Sequence, residues 1–117
     1  MMSKKVLITG GAGYIGAHTV DALAKSGYTP IIVDDFRNSN PRVIQDLSKL
    51  IGFEPLFYTI DICDKSALKD VFKTHQINSV IHFAAFKAVG ESVIEPLKYY
   101  QNNLIGLLNI LECMEAF

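Results

Sequence analysis

Apolar positions along this chain switch between two rhythms. Val6-Leu7-Ile8-Thr9 is a continuous apolar run with β-branched residues, the pattern of a strand buried on both faces. From Tyr14 to Ser26, Ile15, Val20, Leu23 and Ala24 recur at helical spacing, and Gly27 stands where a C-terminal cap belongs. Pro30-Ile31-Ile32-Val33 predicts a second strand, with proline tolerable at its start and Asp34 and Asp35 at its end. Phe36 to Pro41 reads as a polar loop. Val43, Ile44, Leu47 and Leu50 then mark a second helix, which Gly52 stops. Pro55 to Ile60 is aromatic and β-branched, a third strand, and Asp64 caps a helix carrying Leu68, Val71 and Phe72. Ser79 to Phe83 is a fourth strand leading into a loop of small residues from Ala84 to Ser92. Pro96 opens the last helix, where Leu97, Tyr100, Leu104, Leu107, Leu108 and Leu111 form a broad apolar stripe, read most simply as core.

Strands that alternate with helices predict right-handed crossovers and a parallel sheet. The turn between the first strand and its helix carries the chemistry. Gly11, Gly13 and Gly16 spell G-x-G-x-x-G, while Gly10, Gly13 and Gly16 spell a wider G-x-x-G-x-x-G, and both registers fit. In either, the first glycine permits a tight turn, the middle one lets backbone approach a pyrophosphate, and Gly16 lets the helix pack close to the strand. Amides at the helix N-terminus then face the phosphates. Asp34 follows about twenty residues on, where a ribose-binding acid belongs. The expectation is a dinucleotide site on an α/β, Rossmann-like parallel sheet with helices on both faces, strand order 3-2-1-4, truncated before the remaining strands of the doubly wound fold. Residues 1–117 would form one such domain. Its fourth strand, with Val80 and Ile81, would then be an unpaired edge.

Composition narrows the partners. The 117 residues are 50% hydrophobic and 20% charged, with a formal net charge of -1 and a pI near 6.3. No basic field marks a nucleic-acid binder, and no uncharged apolar run reaches membrane-spanning length, so a cytoplasmic location is expected. Cys63 and Cys113 lack the spacing of a zinc or redox pair and are expected as reduced thiols.

Several stretches, taken together, resemble a known family. They are Gly10 to Gly16 with Ala17-His18-Thr19-Val20, Asp34 with Asn38-Ser39, Asp61-Ile62, and His82-Phe83-Ala84. Lys87-Ala88-Val89-Gly90-Glu91-Ser92, Pro96-Leu97 and Tyr99-Tyr100-Gln101-Asn102-Asn103 complete the set. In order and without large gaps, from about Lys5 to Phe117, they are similar to the UDP-glucose 4-epimerases of the extended short-chain dehydrogenase/reductase superfamily. The glycine motif marks only the superfamily. The stretch from Lys87 to Ser92 with the paired tyrosines and asparagines is more specific.

The resemblance implies bound NAD used as a transient hydride acceptor at C4 of a UDP-hexose, and a homodimer to which the last helix contributes. It implies that Gly10, Gly13, Tyr14, Ile15 and Gly16 line the pyrophosphate and that Asp34 takes the adenosine-ribose hydroxyls. Asn38 and Ser39 would reach the same end, and Asp61 and Ile62 would flank the adenine. Phe83, Ala84 and Ala85 would run beneath the middle of the cofactor, with Lys87 and Asn102 at its ribose or phosphate region. An Asp34 carboxylate favours NAD over NADP, because it repels a 2′-phosphate. Asp35 stands where many members carry asparagine, which adds to that preference. Ala85 and Phe86 replace a common Gly-Leu and add bulk near the cofactor.

The family's proton-transfer tyrosine stands four residues before a lysine. None of Tyr14, Tyr28, Tyr58, Tyr99 and Tyr100 does, so no catalytic residue is expected in this chain. It is expected to be inactive alone. Two other readings stay open: a short non-catalytic dinucleotide-binding module, and a nucleotide-sugar dehydratase or reductase with the same glycine loop. Plainer roles compete at single positions. His82 reads as a hydrogen-bonded core histidine rather than a metal ligand, and His18 and His75 carry no signal. Asp64 rather than Asp61 is the expected helix cap, and Lys87 without the family is an ordinary loop lysine.

Overall fold

The computed structural model describes residues 3–36, 40–84 and 96–117, without the side chains of Tyr99, Tyr100 and Asn102. Among the described residues four strands alternate with four helices: β1 Lys5–Thr9, α1 Tyr14–Lys25, β2 Thr29–Asp34, α2 Arg42–Ile51, β3 Leu56–Thr59, α3 Lys65–Thr74, β4 Ile77–His82 and α4 Pro96–Ala116. The sheet is parallel with order β3-β2-β1-β4, as expected, so β1 is central and β4 is an edge. The local stop signals act where they were read. Asp64 caps α3 by accepting from the Ala67 amide at 3.2 Å, and Gly52 closes α2 in the left-handed conformation.

Successive strand residues point to opposite faces, which sorts the apolar run of β1 into two cores. Leu7, Ile31 and Val33 meet Leu68, Val71 and Phe72 of α3 and Ile110 and Cys113 of α4. Val6, Ile8 and Ile32 meet Val20 of α1 and Ile44 and Leu47 of α2. The central strands are therefore fully buried on both sides, which is why they lack polar alternation.

Three expectations are corrected. The fourth strand starts two residues early, at Ile77, because its register against β1 shifts between Lys5 and Val6. Asn78 is the extra residue, and its Oδ1 accepts from the Lys5 amide at 2.8 Å. A side chain thus replaces the missing ladder acceptor. Ile15 and Leu50, two of the apolar positions at helical spacing, are exposed, so they lie off the buried faces of α1 and α2.

The largest correction concerns α4. Leu97, Leu104, Leu107, Leu108 and Leu111 are all exposed, and the buried face consists of Gly106, Asn109, Ile110 and Cys113. Tyr100, the remaining member of that stripe, is among the side chains not described. Val80 and Ile81 on β4 are half-buried against one core each. The apolar side chains of the edge strand thus reach both cores, while Asn78 and Ser79 stay exposed.

Candidate functional site

Of the residues singled out from the sequence, those described lie in and around the C-terminal ends of the strands, where open α/β sheets hold ligands. Gly10 leaves β1 with φ +71° and donates its amide to the Val33 carbonyl at 2.8 Å. It therefore turns the chain while staying tied to β2. A Cβ on Gly10 would stand 2.9 Å from the Ala84 nitrogen, so the exit of β4 lies directly against the turn. Gly13 is the N-cap of α1 and offers no side-chain cap to the helix amides. The first turn of α1 holds no acidic residue of its own.

Gly13 and Gly16 have different reasons to be glycine. A Cβ at Gly16 would sit 2.2 Å from the Gly10 carbonyl oxygen and 2.8 Å from the Gly11 Cα. That is an internal backbone contact, the close helix-to-strand packing expected there. At Gly13 a Cβ would meet, among the described residues, the Gly10 oxygen alone, at 3.3 Å. The protein's own packing nearly tolerates a side chain at Gly13, and a cradle that a Cβ would begin to fill fits a ligand approaching the backbone. Both registers are used, because Gly11 also lies tight, against Ile32 of β2.

Asp34 stands beside this loop. Its Oδ2 accepts from the Ala12 amide at 3.1 Å, and its Oδ1 accepts from the Phe36 amide at 2.8 Å. The carboxylate thus ties the glycine turn to the exit of β2, where Phe36 takes a φ of +60°. Asp61 is placed after β3. Its Oδ1 accepts from the Cys63 amide at 2.9 Å, and the Ile60 amide donates to the Asp34 carbonyl, so the β2 and β3 exits are joined. Ile62 departs from the simplest reading. Its side chain is buried in the core with α3 and α4, so any part it takes toward a ligand falls to its backbone. Tyr14 and Ile15 project outward from the first turn of α1, with Tyr14 packed edge-on to His18. Asn38, Ser39, Ala85 and Lys87 lie outside the described residues, as does the side chain of Asn102.

Thr9, which the sequence presented only as a strand residue, organises the exit of β4. Its fully buried hydroxyl accepts from the amides of Phe83 at 3.1 Å and Ala84 at 3.2 Å. The same hydroxyl lies 2.6 Å from His82 Nδ1, so His82 is hydrogen-bonded, as read from the sequence, and half-buried at the end of β4. The one sequence signal was a polar residue ending an apolar strand. Its partners lie more than seventy positions away.

Away from this edge, Tyr58 Oη lies 2.6 Å from His75 Nε2. Burial, with a smaller contribution from the Lys5 charge, lowers the His75 pKa. Burial pushes the Cys113 thiol up, which disfavours its thiolate, and Cys63 is likewise a free thiol. Among the described residues no cluster of His, Cys, Asp and Glu could hold a metal ion, and no helix is long and apolar enough to cross a membrane.

Comparison with known proteins agrees with this geometry. The chain is 48% identical over 112 residues to a UDP-glucose 4-epimerase of Schizosaccharomyces pombe, covering 96% of this chain and 32% of that protein. It is 50% identical over 109 residues to the UDP-glucose 4-epimerase of Yersinia enterocolitica, covering 93% of this chain and again 32% of the relative. The crystal structure of UDP-glucose 4-epimerase from Bifidobacterium longum in complex with NAD+ and UDP superposes with a TM-score of 0.94 at 42% identity, over 97% of this chain and 34% of that one. The chain thus spans about a third of the length of these relatives. The family model described as GDP-mannose 4,6 dehydratase matches residues 7–117, nearly the whole sequence, and the chain belongs to that family.

Proposed function

We propose that this chain is the NAD-binding N-terminal portion of an enzyme that interconverts UDP-galactose and UDP-glucose. The observation that carries this reading is the glycine turn. Gly13 leaves room for a ligand above the amides of α1, and Asp34 flanks the turn at the position of a ribose-binding acid. The relatives that match the chain at about half identity are UDP-glucose 4-epimerases, one crystallised with NAD+ and UDP.

In this reading Gly10, Gly13, Tyr14, Ile15 and Gly16 hold the pyrophosphate through backbone amides and the positive end of α1. Asp34 accepts from the ribose hydroxyls and disfavours a 2′-phosphate. Asp61 and the backbone of Ile62 flank the adenine, while Phe83, Ala84 and Ala85 underlie the middle of the cofactor. Asn38 and Ser39 serve the adenosine end, and Lys87 and Asn102 the ribose or phosphate region. NAD supplies a reversible hydride acceptor for C4 of the sugar, so the stereocentre is inverted without net redox change. The Tyr-x-x-x-Lys pair that moves the proton and the pocket for the UDP-hexose belong to the rest of the parent protein. The parent is a cytoplasmic homodimer, and the exposed leucines of α4 supply apolar surface for that association.

Calorimetric titration with NAD, beside an assay for UDP-glucose formed from UDP-galactose, tests the reading. Binding of NAD with no turnover by the 117-residue chain is expected. Absence of NAD binding refutes the cofactor site, and turnover refutes the placing of the catalytic base elsewhere. A 4-keto-6-deoxy product from the parent enzyme would make it a dehydratase instead.

A further inference from the structure

Helix α4 holds Ile62, in the loop after β3, at two points. The Ile62 side chain is 4% exposed and runs onto α4 where residue 106 is glycine. A Cβ there would stand 2.4 Å from Ile62 Cδ1 and 2.8 Å from its Cγ1. At the next inward-facing position, Asn109 is 7% exposed and donates from Nδ2 to the Ile62 carbonyl at 2.9 Å. Side chain and carbonyl of one residue are therefore both held by the helix, the first by shape and the second by a hydrogen bond. The neighbouring Asp61 is fixed from within the loop by the Cys63 and Asp64 amides.

Packing alone does not call for an amide at residue 109. Ile110 and Cys113 beside it are apolar core, and a buried amide is costly unless its partner is in place. Its geometric effect is to hold the Ile62-Cys63 peptide in one orientation, and the N–H of that same peptide donates to Asp61 Oδ1. We propose that Asn109, with Gly106 as its steric complement, is a positioning pair for the adenine end of the dinucleotide, holding the Asp61-Ile62 backbone where it reads the purine edge. The inference rests on the cofactor reading above and deepens it. Adenine presents a 6-amino donor at that edge, which a carboxylate accepts, whereas hypoxanthine presents an acceptor there. A loop held in register separates the two bases, and a loop free to rotate does not.

The test is titration of the chain with ADP and with inosine diphosphate, reading the ratio of the two affinities rather than either alone. The wild type is expected to prefer ADP. Asn109→Leu keeps the branched four-atom side-chain skeleton and removes the donor, and the preference should fall about tenfold, the weight of one hydrogen bond. Gly106→Ala displaces Ile62 with Asn109 intact and should lower the same ratio. Ile110→Val thins the same buried face of α4 while leaving Gly106 and the Asn109 amide in place and should leave the ratio unchanged, which separates positioning from general loss of packing. A folded Asn109→Leu or Gly106→Ala variant with the wild-type ratio overturns the proposal. So does a wild type that binds ADP and inosine diphosphate equally, although the cofactor reading then stands. A wild type that binds neither overturns that reading and this one with it.

Discussion

Gly13 and Gly16, three positions apart in one motif, should respond to alanine in opposite ways. At Gly16 the new Cβ would lie 2.2 Å from the Gly10 carbonyl oxygen, and ordinary contact begins at 3.4 Å. The obstacle is backbone on both sides, so α1 must retreat by about 1.2 Å from the turn, and overpacking of that kind costs about 1–3 kcal/mol. Displacement of the Val20 contacts in the core beneath puts the penalty at the upper end, about 3 kcal/mol. Helix propensity opposes it, because alanine in a helix interior is favoured over glycine by about 1 kcal/mol. The net expectation for Gly16→Ala is a loss of about 2 kcal/mol, a fall in Tm of about 8 °C for a domain of this size, together with weakened NAD binding. Among the described residues Gly13→Ala meets one atom, the Gly10 oxygen at 3.3 Å, with φ at -75°, which an L-residue adopts. It should melt within about 2 °C of wild type yet bind NAD at least tenfold more weakly, because its methyl group enters the cradle. Thermal unfolding and calorimetric titration of both variants make the comparison. A Gly16→Ala protein as stable as wild type would refute the close approach of α1 to the turn. A Gly13→Ala protein with undiminished NAD affinity would refute a cofactor seated over Gly13.

Thr9→Val keeps the shape of the strand but leaves His82 Nδ1 and the Ala84 amide without the hydroxyl. Urea denaturation should show a loss of about 2–4 kcal/mol, and a loss below about 0.5 kcal/mol would contradict the network. His75 has a folded-state pKa below its unfolded value of 6.5, so the unfolded chain takes up the proton first as pH falls. Its contribution to stability should therefore be full above pH 6.5 and decline below it toward the lowered folded pKa. His75→Gln should flatten that part of the urea-midpoint profile against pH, and an unchanged slope would exclude His75 as its source. Leu108→Lys with Leu111→Lys, on the exposed face of α4, should reduce concentration-dependent self-association in sedimentation while changing stability by less than about 0.5 kcal/mol per site. A large loss of stability would mean that this face is core after all.

Local patterns determined most of the architecture. The apolar runs of β1 and β2, the stop at Gly52 and the cap at Asp64 each depend on residues within a few positions, so the order of elements is legible from periodicity and turn chemistry alone. The glycine turn and Asp34 are legible for the same reason, since one βα unit followed by a strand brings them together without help from the rest of the chain. Tertiary structure decided what depends on a distant partner. The Thr9 hydroxyl is an ordinary β-branched position until β4 lies beside β1, and Asn109 is one more polar helix residue until α4 crosses the loop at Ile62. The inward face of α4 was misread because apolar residues surround much of that helix, so periodicity does not select a side. Gly106 does select one, because only a residue without a Cβ lets the helix close over Ile62, and that requirement exists only once the two are packed.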